Sequence, residues 1–159
     1  MVFDEATSRA FLVTELDSNL IVLKVDETSG HLTELETVSL YPQSFAEEIV
    51  KNGNETQYPA EIEMHPNRKW LYVSNRGLGA IFQFDVSGDR VKHGATVLTG
   101  GNWPRHFTIR DDGQFLVVAQ QLTNSLEVFK IDQTDGHLEE VDKIESLNAP
   151  AFAGFYNKL

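Results

Sequence analysis

Three stretches of the chain repeat the same order of apolar and polar positions. Each contains an apolar run, a short polar break and a second run in which apolar and polar residues alternate. Another short apolar run precedes each stretch, and a further alternating run follows it. Alternation with a period of two predicts β-strands, so each unit is expected to contain four short antiparallel strands. The three stretches are RAFLVTELDSNLIVLKVD, KWLYVSNRGLGAIFQFDV and QFLVVAQQLTNSLEVFKID.

The spacing of these units predicts the fold. Glu15, Arg76 and Gln121 occupy matching positions in the three stretches and are 61 and 45 residues apart. A repeat of about 45 residues with four antiparallel strands is the period of a β-propeller blade. We therefore expect an all-β chain that contains about three blades of a larger propeller. The blades are predicted at residues 1–42, 59–99 and 104–146.

Two segments do not fit the repeat. Residues 43–58 lengthen the first interval, and Ser44 and Glu47 have the spacing of a capping box, which predicts a short surface helix at residues 45–51. The terminal stretch NAPAFAGFYNKL predicts an inner strand over residues 149–157 without the other strands of its blade. Because propellers typically have about four to eight blades, the sequence predicts an incomplete ring.

The composition limits the kinds of partner. The chain has 159 residues, no cysteine and a formal net charge of −11. Nucleic acids and anionic membrane surfaces are therefore not expected as partners, because both are bound mainly through Lys and Arg and no basic cluster is evident. No apolar run approaches the ~18 residues of a membrane span. The N-terminus lacks a basic leader, which together with the absence of cysteine predicts a cytoplasmic location.

Several motifs resemble those of one known family. The segments AEIEMHPNRKWLYVSNRG, GGNWPRHFTIRDDGQFLVVAQQ and LVTELDSNLIVLKVD are similar to the lactonase family of seven-bladed β-propellers. That family includes 6-phosphogluconolactonase-like proteins and the fungal carboxy-cis,cis-muconate cyclases. A typical member is about twice as long as this chain, so the resemblance implies that the C-terminal part, roughly the last three of seven blades, is represented.

The resemblance also implies a set of site residues. The proposed active site of the family contains a glutamate in a motif that matches TEL and an arginine in SNRG, which correspond to Glu15 and Arg76. A further histidine and arginine of that site come from blades that would precede Met1. Arg105 and His106 belong to a third-blade repeat of the corresponding motif. Both also have a structural interpretation, as an arginine that clamps backbone carbonyls between blades and as a satisfied strand histidine.

The predicted topology brings these residues to one end of the blades. In an antiparallel blade, the end of the second strand lies beside the start of the inner strand. Glu15, Arg76 and Gln121 follow second strands, whereas Arg105 and His106 begin an inner strand. We therefore expect all five at the same mouth of the central channel. The predicted substrate-binding residues are Asn75, Arg105, His106 and Gln121.

Two functions remain open on these observations. The first is a lactonase or cyclase, a 6-phosphogluconolactonase-like hydrolase of carbohydrate metabolism that acts on a small anionic lactone or muconate-like acid. Glu15 would be its general acid or base, and Arg76 would hold the anion. The second is a non-catalytic propeller fragment or binding module, in which Arg76 pairs with an acid such as Glu61 or Glu63 and Glu15 is a solvated turn residue.

Neither function requires a metal or an organic cofactor. The open faces of an incomplete ring predict a further partner, because they expose surfaces that a closed propeller would bury. That partner is either a second copy of the chain in a homodimer or the missing blades of a longer parent chain.

Overall fold

The computed structural model describes residues 1–42 and 57–156, and within these ranges it contains strands and no helix. The predicted helix at residues 45–51 lies outside the described residues. The strands are β1 (Val2–Asp4), β2 (Arg9–Val13), β3 (Asn19–Val25), β4 (Leu32–Ser39), β5 (Pro59–Met64), β6 (Trp70–Asn75), β7 (Ala80–Asp85), β8 (Lys92–Leu98), β9 (Pro104–Ile109), β10 (Phe115–Gln120), β11 (Ser125–Ile131) and β12 (Leu138–Ile144).

The twelve strands form three separate sheets of four strands, and each sheet follows the order of the sequence. Every pairing within a sheet is antiparallel. The first strands of neighbouring sheets pack against each other, since β5 contacts both β1 and β9. The fourth strands are largely exposed. This arrangement confirms the prediction of propeller blades with the first strand innermost.

Two apolar cores lie between the blades. One joins blade 1 to blade 2 and includes Phe11, Leu20 and Phe82. The other joins blade 2 to blade 3 and includes Tyr72 and Phe107. Strand β6 is buried along its whole length because the middle blade has a neighbour on each of its faces. A strand buried on both faces has a continuous apolar run, which explains why the sequence WLYVS shows so little alternation.

The terminal segment differs from the prediction. The sequence predicts an inner strand over residues 149–157, but residues 149–156 form no strand in the structure. Backbone N–H and C=O groups form a strand only where a neighbouring strand accepts and donates hydrogen bonds. The segment is instead attached to blade 3 by single contacts. The Ala149 N–H donates to Asn124 Oδ1 at 2.9 Å, and the Phe152 ring lies 4.3 Å from that of His106.

The hairpin turns DETSGHL and DQTDGHL each contain one glycine with a left-handed backbone conformation, with φ of 72° at Gly30 and 78° at Gly136. Their surroundings differ. A Cβ on Gly136 would lie 2.5 Å from Trp70 Cδ2, whereas a Cβ on Gly30 would have no neighbour within 4 Å. The Gly136 turn is thus packed against blade 2, and its carbonyl accepts a hydrogen bond from the Tyr72 hydroxyl at 2.7 Å.

We expect Gly136→Ala to destabilise the protein more than Gly30→Ala does. Both substitutions force an L-residue into the left-handed region, which costs about 1–2 kcal/mol. Only Gly136→Ala also overpacks the contact with Trp70, which adds about 1–3 kcal/mol. Urea denaturation of the two variants would measure this difference in the free energy of unfolding. Equal losses in the two variants would contradict the close packing of the third-blade turn.

Candidate functional site

In each blade, the second strand ends at the same end of the blade at which the inner strand begins. Strands β2, β6 and β10 end at the same end of the blades as the starts of β5 and β9. We call this end the mouth and define it by residues 14–18, 57–59, 76–79, 99–103 and 121–124. It contains Glu15, Arg76 and Gln121, with Arg105 and His106 just inside β9.

Arg76 lies at the mouth, directly after β6 of the middle blade, and is held from two blades. Its Nε donates to the Tyr58 carbonyl at 2.8 Å and its Nη2 lies 3.4 Å from the Pro59 carbonyl. The same Nη2 forms a salt bridge with Glu15 Oε1, which joins blade 2 to blade 1. The Arg76 side chain is only 11% exposed, whereas that of Glu15 is 57% exposed. The guanidinium is therefore fixed by backbone carbonyls, and the carboxylate is its solvent-accessible partner.

Two aromatic rings complete the surroundings of Arg76. The guanidinium carbon lies 5.7 Å from the centroid of the Tyr58 ring and 5.5 Å from that of Trp103. The two rings are themselves 5.9 Å apart, at an interplanar angle of 43°. Sequence reasoning did not identify these residues. The signal was present, because an aromatic residue directly precedes the first proline of both β5 and β9.

His106 and Glu61 form a second polar contact on neighbouring inner strands. His106 Nε2 lies 3.4 Å from Glu61 Oε2, and the Ala153 N–H points to His106 Nδ1 at 3.5 Å. Burial lowers the pKa of His106 below its usual value, and the positive charge of Arg105 acts in the same direction against the attraction of Glu61. The imidazole thus has a polar neighbour on each ring nitrogen, the Glu61 carboxylate beside Nε2 and the Ala153 N–H at Nδ1. This contact favours the interpretation of His106 as a satisfied strand histidine.

The other predicted substrate-binding residues differ in accessibility. Asn75 is fully buried, and both ends of its amide are used: Nδ2 donates to the Tyr41 hydroxyl at 2.9 Å, and Oδ1 accepts from the Leu78 N–H at 2.8 Å. It supports the turn after β6, and its geometry does not support substrate contact. Arg105 is exposed, and Gln121 is half-buried with its N–H bonded to the Trp103 carbonyl at 3.0 Å.

A buried glutamate in blade 3 was also missed by sequence reasoning. Glu127 is fully buried and accepts a hydrogen bond from Gln120 Nε2 at 2.8 Å. Its Oε1 lies 3.6 Å from Lys143 Nζ. Burial raises the pKa of this carboxyl group, Glu140 raises it further, and Lys143 acts in the opposite direction. The only sequence signal was its position in β11, where it alternates with the buried residues Ser125 and Phe129.

The described residues offer no group of three or more His, Asp or Glu side chains arranged to hold a metal ion. Over the same residues, no helix of sufficient length and hydropathy to cross a membrane occurs. The charged and aromatic groups that the mouth presents are the Arg76 guanidinium, the exposed carboxylates of Glu15 and Asp17, and the rings of Tyr58 and Trp103. An arginine held in this way presents a planar set of N–H donors that suits a carboxylate or a phosphate.

Three blades that pack face to face through apolar cores define the chain as part of a β-propeller. The family model described as Lactonase, 7-bladed beta-propeller, matches residues 1–155, and the chain belongs to this family. The resemblance inferred from the motifs is thereby confirmed.

Named relatives and a solved structure extend this finding. The chain is 35% identical over 143 residues to a 6-phosphogluconolactonase of Pectobacterium carotovorum subsp. carotovorum (strain PC1), a match that covers 87% of this chain and 40% of the relative. It is 27% identical over 161 residues to the 6-phosphogluconolactonase of Bacillus subtilis (strain 168), of which it covers 44%. A crystal structure of a protein from Lactobacillus plantarum is similar with a TM-score of 0.82 and 29% identity, over 94% of this chain and 42% of that one. The chain thus spans about two-fifths of the length of these proteins.

Proposed function

We propose that the mouth is part of a lactonase site that acts on a small anionic lactone of the 6-phosphogluconolactone type. The observation that carries this proposal is the salt bridge between Arg76 and Glu15, which joins two blades at the mouth. Arg76 would hold the phosphate or carboxylate group of the substrate, and Glu15 would act as the general acid or base in ring opening. The names of the relatives support the substrate class.

The geometry supports this division of roles. Arg76 is fixed by the carbonyls of Tyr58 and Pro59, so its guanidinium is already oriented before an anion arrives. Preorganised donors lower the cost of binding and stabilise developing negative charge. Glu15 is exposed, and within residues 1–42 and 57–156 its carboxylate pairs with Arg76 alone, so a bound anion can displace it toward the lactone. A carboxylate positioned in this way can deliver or accept a proton.

The second candidate function is a binding module that captures a small anion without turnover. The observation behind it is that the chain spans about two-fifths of the length of its relatives and contains three blades. If the chain is a binding module, turnover would require further blades, supplied by a longer parent chain or by a second copy.

Hydrolysis assays separate the two candidates. We expect the 159-residue chain to accelerate the hydrolysis of 6-phosphoglucono-δ-lactone above its spontaneous rate, because Arg76 recognises the phosphate. Glucono-δ-lactone, which lacks the phosphate, is the matched control substrate and should react no faster than it does spontaneously. Binding of 6-phosphogluconate without turnover would favour the binding module. The absence of both binding and turnover would contradict both functions.

A further inference from the structure

Tyr58 and Trp103 have an unusual backbone conformation. Their φ angles are 48° and 68°, in the left-handed region that bulky L-residues rarely adopt. Each directly precedes a proline, Pro59 or Pro104, and residues before proline normally favour extended conformations. Both preferences are thus violated at equivalent positions of two consecutive blades. Backbone strain that recurs at one place often accompanies a functional site.

The conformation has a structural role that does not need an aromatic side chain. The Tyr58 carbonyl accepts the Arg76 N–H at 3.2 Å, and the Trp103 carbonyl accepts the Gln121 N–H at 3.0 Å. In both blades the left-handed residue thus supports the chain where the second strand ends. Glycine would adopt the same backbone conformation without strain. The repeated turn explains the φ angles but leaves the two large rings unexplained.

The rings converge on one side chain. Although Tyr58 and Trp103 belong to different blades, both lie within 6 Å of the Arg76 guanidinium, at 5.7 and 5.5 Å. Aromatic faces attract a guanidinium, and they also exclude water from it, which strengthens its interaction with an anion. Neither ring is fully buried, so the pair forms a partly exposed apolar surface beside the cation. Arg105, two residues after Trp103, is exposed on the adjoining strand β9.

We propose that Tyr58 and Trp103 form an aromatic bracket that selects ring-shaped anions at Arg76. Arg76 binds the phosphate or carboxylate group, and the Trp103 ring stacks on the apolar face of the sugar or lactone ring. This inference rests on the proposed function for the presence of an anion at Arg76, and it adds the residues that choose among anions. Ligand sites commonly combine aromatic walls with a few polar groups that fix orientation, which is the combination found here.

Tryptophan fluorescence provides a direct test. The chain contains two tryptophans. Trp70 is 6% exposed and packs in the core between blades 2 and 3, against the Gly136 turn at the end opposite the mouth. The Trp70→Phe variant therefore reports on Trp103 alone. We expect its emission to change during titration with glucose 6-phosphate, which contains a sugar ring, and to change much less with inorganic phosphate.

Affinities measured by calorimetry test the selectivity. We expect the wild-type chain to bind glucose 6-phosphate at least about fivefold more tightly than inorganic phosphate, because aromatic contact adds to the charge interaction. Open-chain 6-phosphogluconate should lie between them. Trp103→Leu should lose the preference for the ring yet still bind phosphate, whereas Trp103→Phe, which keeps an aromatic face, should retain most of it. Thermal melts establish that the variants are folded.

The outcomes distinguish this inference from the function on which it rests. If Trp103→Leu and Trp103→Phe both keep the full preference for glucose 6-phosphate, or weaken all three probes equally, the bracket only positions Arg76 and the inference is overturned. The proposed anion site would remain in that case. If the wild-type chain binds none of the three probes, the anion site itself is contradicted and the bracket is contradicted with it.

Discussion

Replacing Arg76 with alanine is expected to weaken the binding of 6-phosphogluconate more than tenfold. Arg76 is the preoriented cation of the mouth, and a hydrogen bond to a charged group is worth about 1.5–3 kcal/mol. Arg76→Lys should also weaken binding, because the planar fork that contacts two oxygens is lost. Isothermal titration calorimetry of the 159-residue chain measures both effects.

Arg110 offers a matched control for this experiment. It too lies over an aromatic ring, 4.4 Å from the centroid of Phe115, and it pairs with Asp112 at 2.6 Å. However, it follows the end of β9 and therefore lies at the end of the blades opposite the mouth. Arg110→Ala removes the same charge and should leave the affinity for 6-phosphogluconate unchanged. If the dissociation constant is also unchanged in both Arg76 variants, Arg76 is a structural residue only.

Glu15→Gln is expected to affect turnover and binding in opposite directions. Loss of a general acid or base typically lowers the rate about 10²-fold or more, so hydrolysis of 6-phosphoglucono-δ-lactone should fall by at least that factor. The affinity for 6-phosphogluconate should instead increase, by up to about fivefold, because the carboxylate that occupies Arg76 becomes neutral and exposed ion pairs are worth about 0.2–1 kcal/mol. Stopped-flow hydrolysis and calorimetry measure the two effects.

A glutamate at the opposite end of the blades controls for the change in net charge. Glu27 accepts a hydrogen bond from the Ser8 hydroxyl at 2.5 Å and lies far from the mouth in the first blade. Glu27→Gln should change neither turnover nor affinity. Normal turnover in Glu15→Gln would contradict a role for Glu15 as the general acid or base. Weaker binding in this variant would show that Glu15 does not compete with the anion for Arg76.

Much of the fold is encoded locally and was therefore predictable. Phe11, Leu71 and Leu116 belong to apolar runs and lie in the cores between blades. In such runs, apolar and polar residues alternate where one face of the strand is buried, and apolar residues are continuous where both faces are buried. The glycines of the repeated turns have the left-handed conformation that glycine alone adopts without strain. Strand order follows from short connections between consecutive antiparallel strands. The terminal strand was not predictable in this way, because a strand depends on a neighbour that its own sequence does not specify.

The position of the candidate site could also be predicted from the sequence. Equivalent positions in repeated blades lie at equivalent places in space, so Glu15 and Arg76 were expected at the same mouth. The partners of these residues could not be predicted from the sequence, because several acidic residues were possible partners of Arg76. The structure pairs it with Glu15, while Glu63 accepts the Ile109 N–H at 2.8 Å and Glu61 lies beside His106.

The sequence by itself determined the blades, their repeat and the end at which the charged residues gather, because these properties follow from periodicity and chain direction. Only the tertiary structure decided which side chains meet there. Asn75 is next to Arg76 in sequence but is fully buried, where its amide bonds to the Tyr41 hydroxyl and the Leu78 N–H. Tyr58 and Trp103 are 45 residues apart and meet at Arg76 because neighbouring inner strands lie side by side. Contacts between blades depend on packing distances and backbone conformation across the whole arc, and a local pattern of residues does not contain that information.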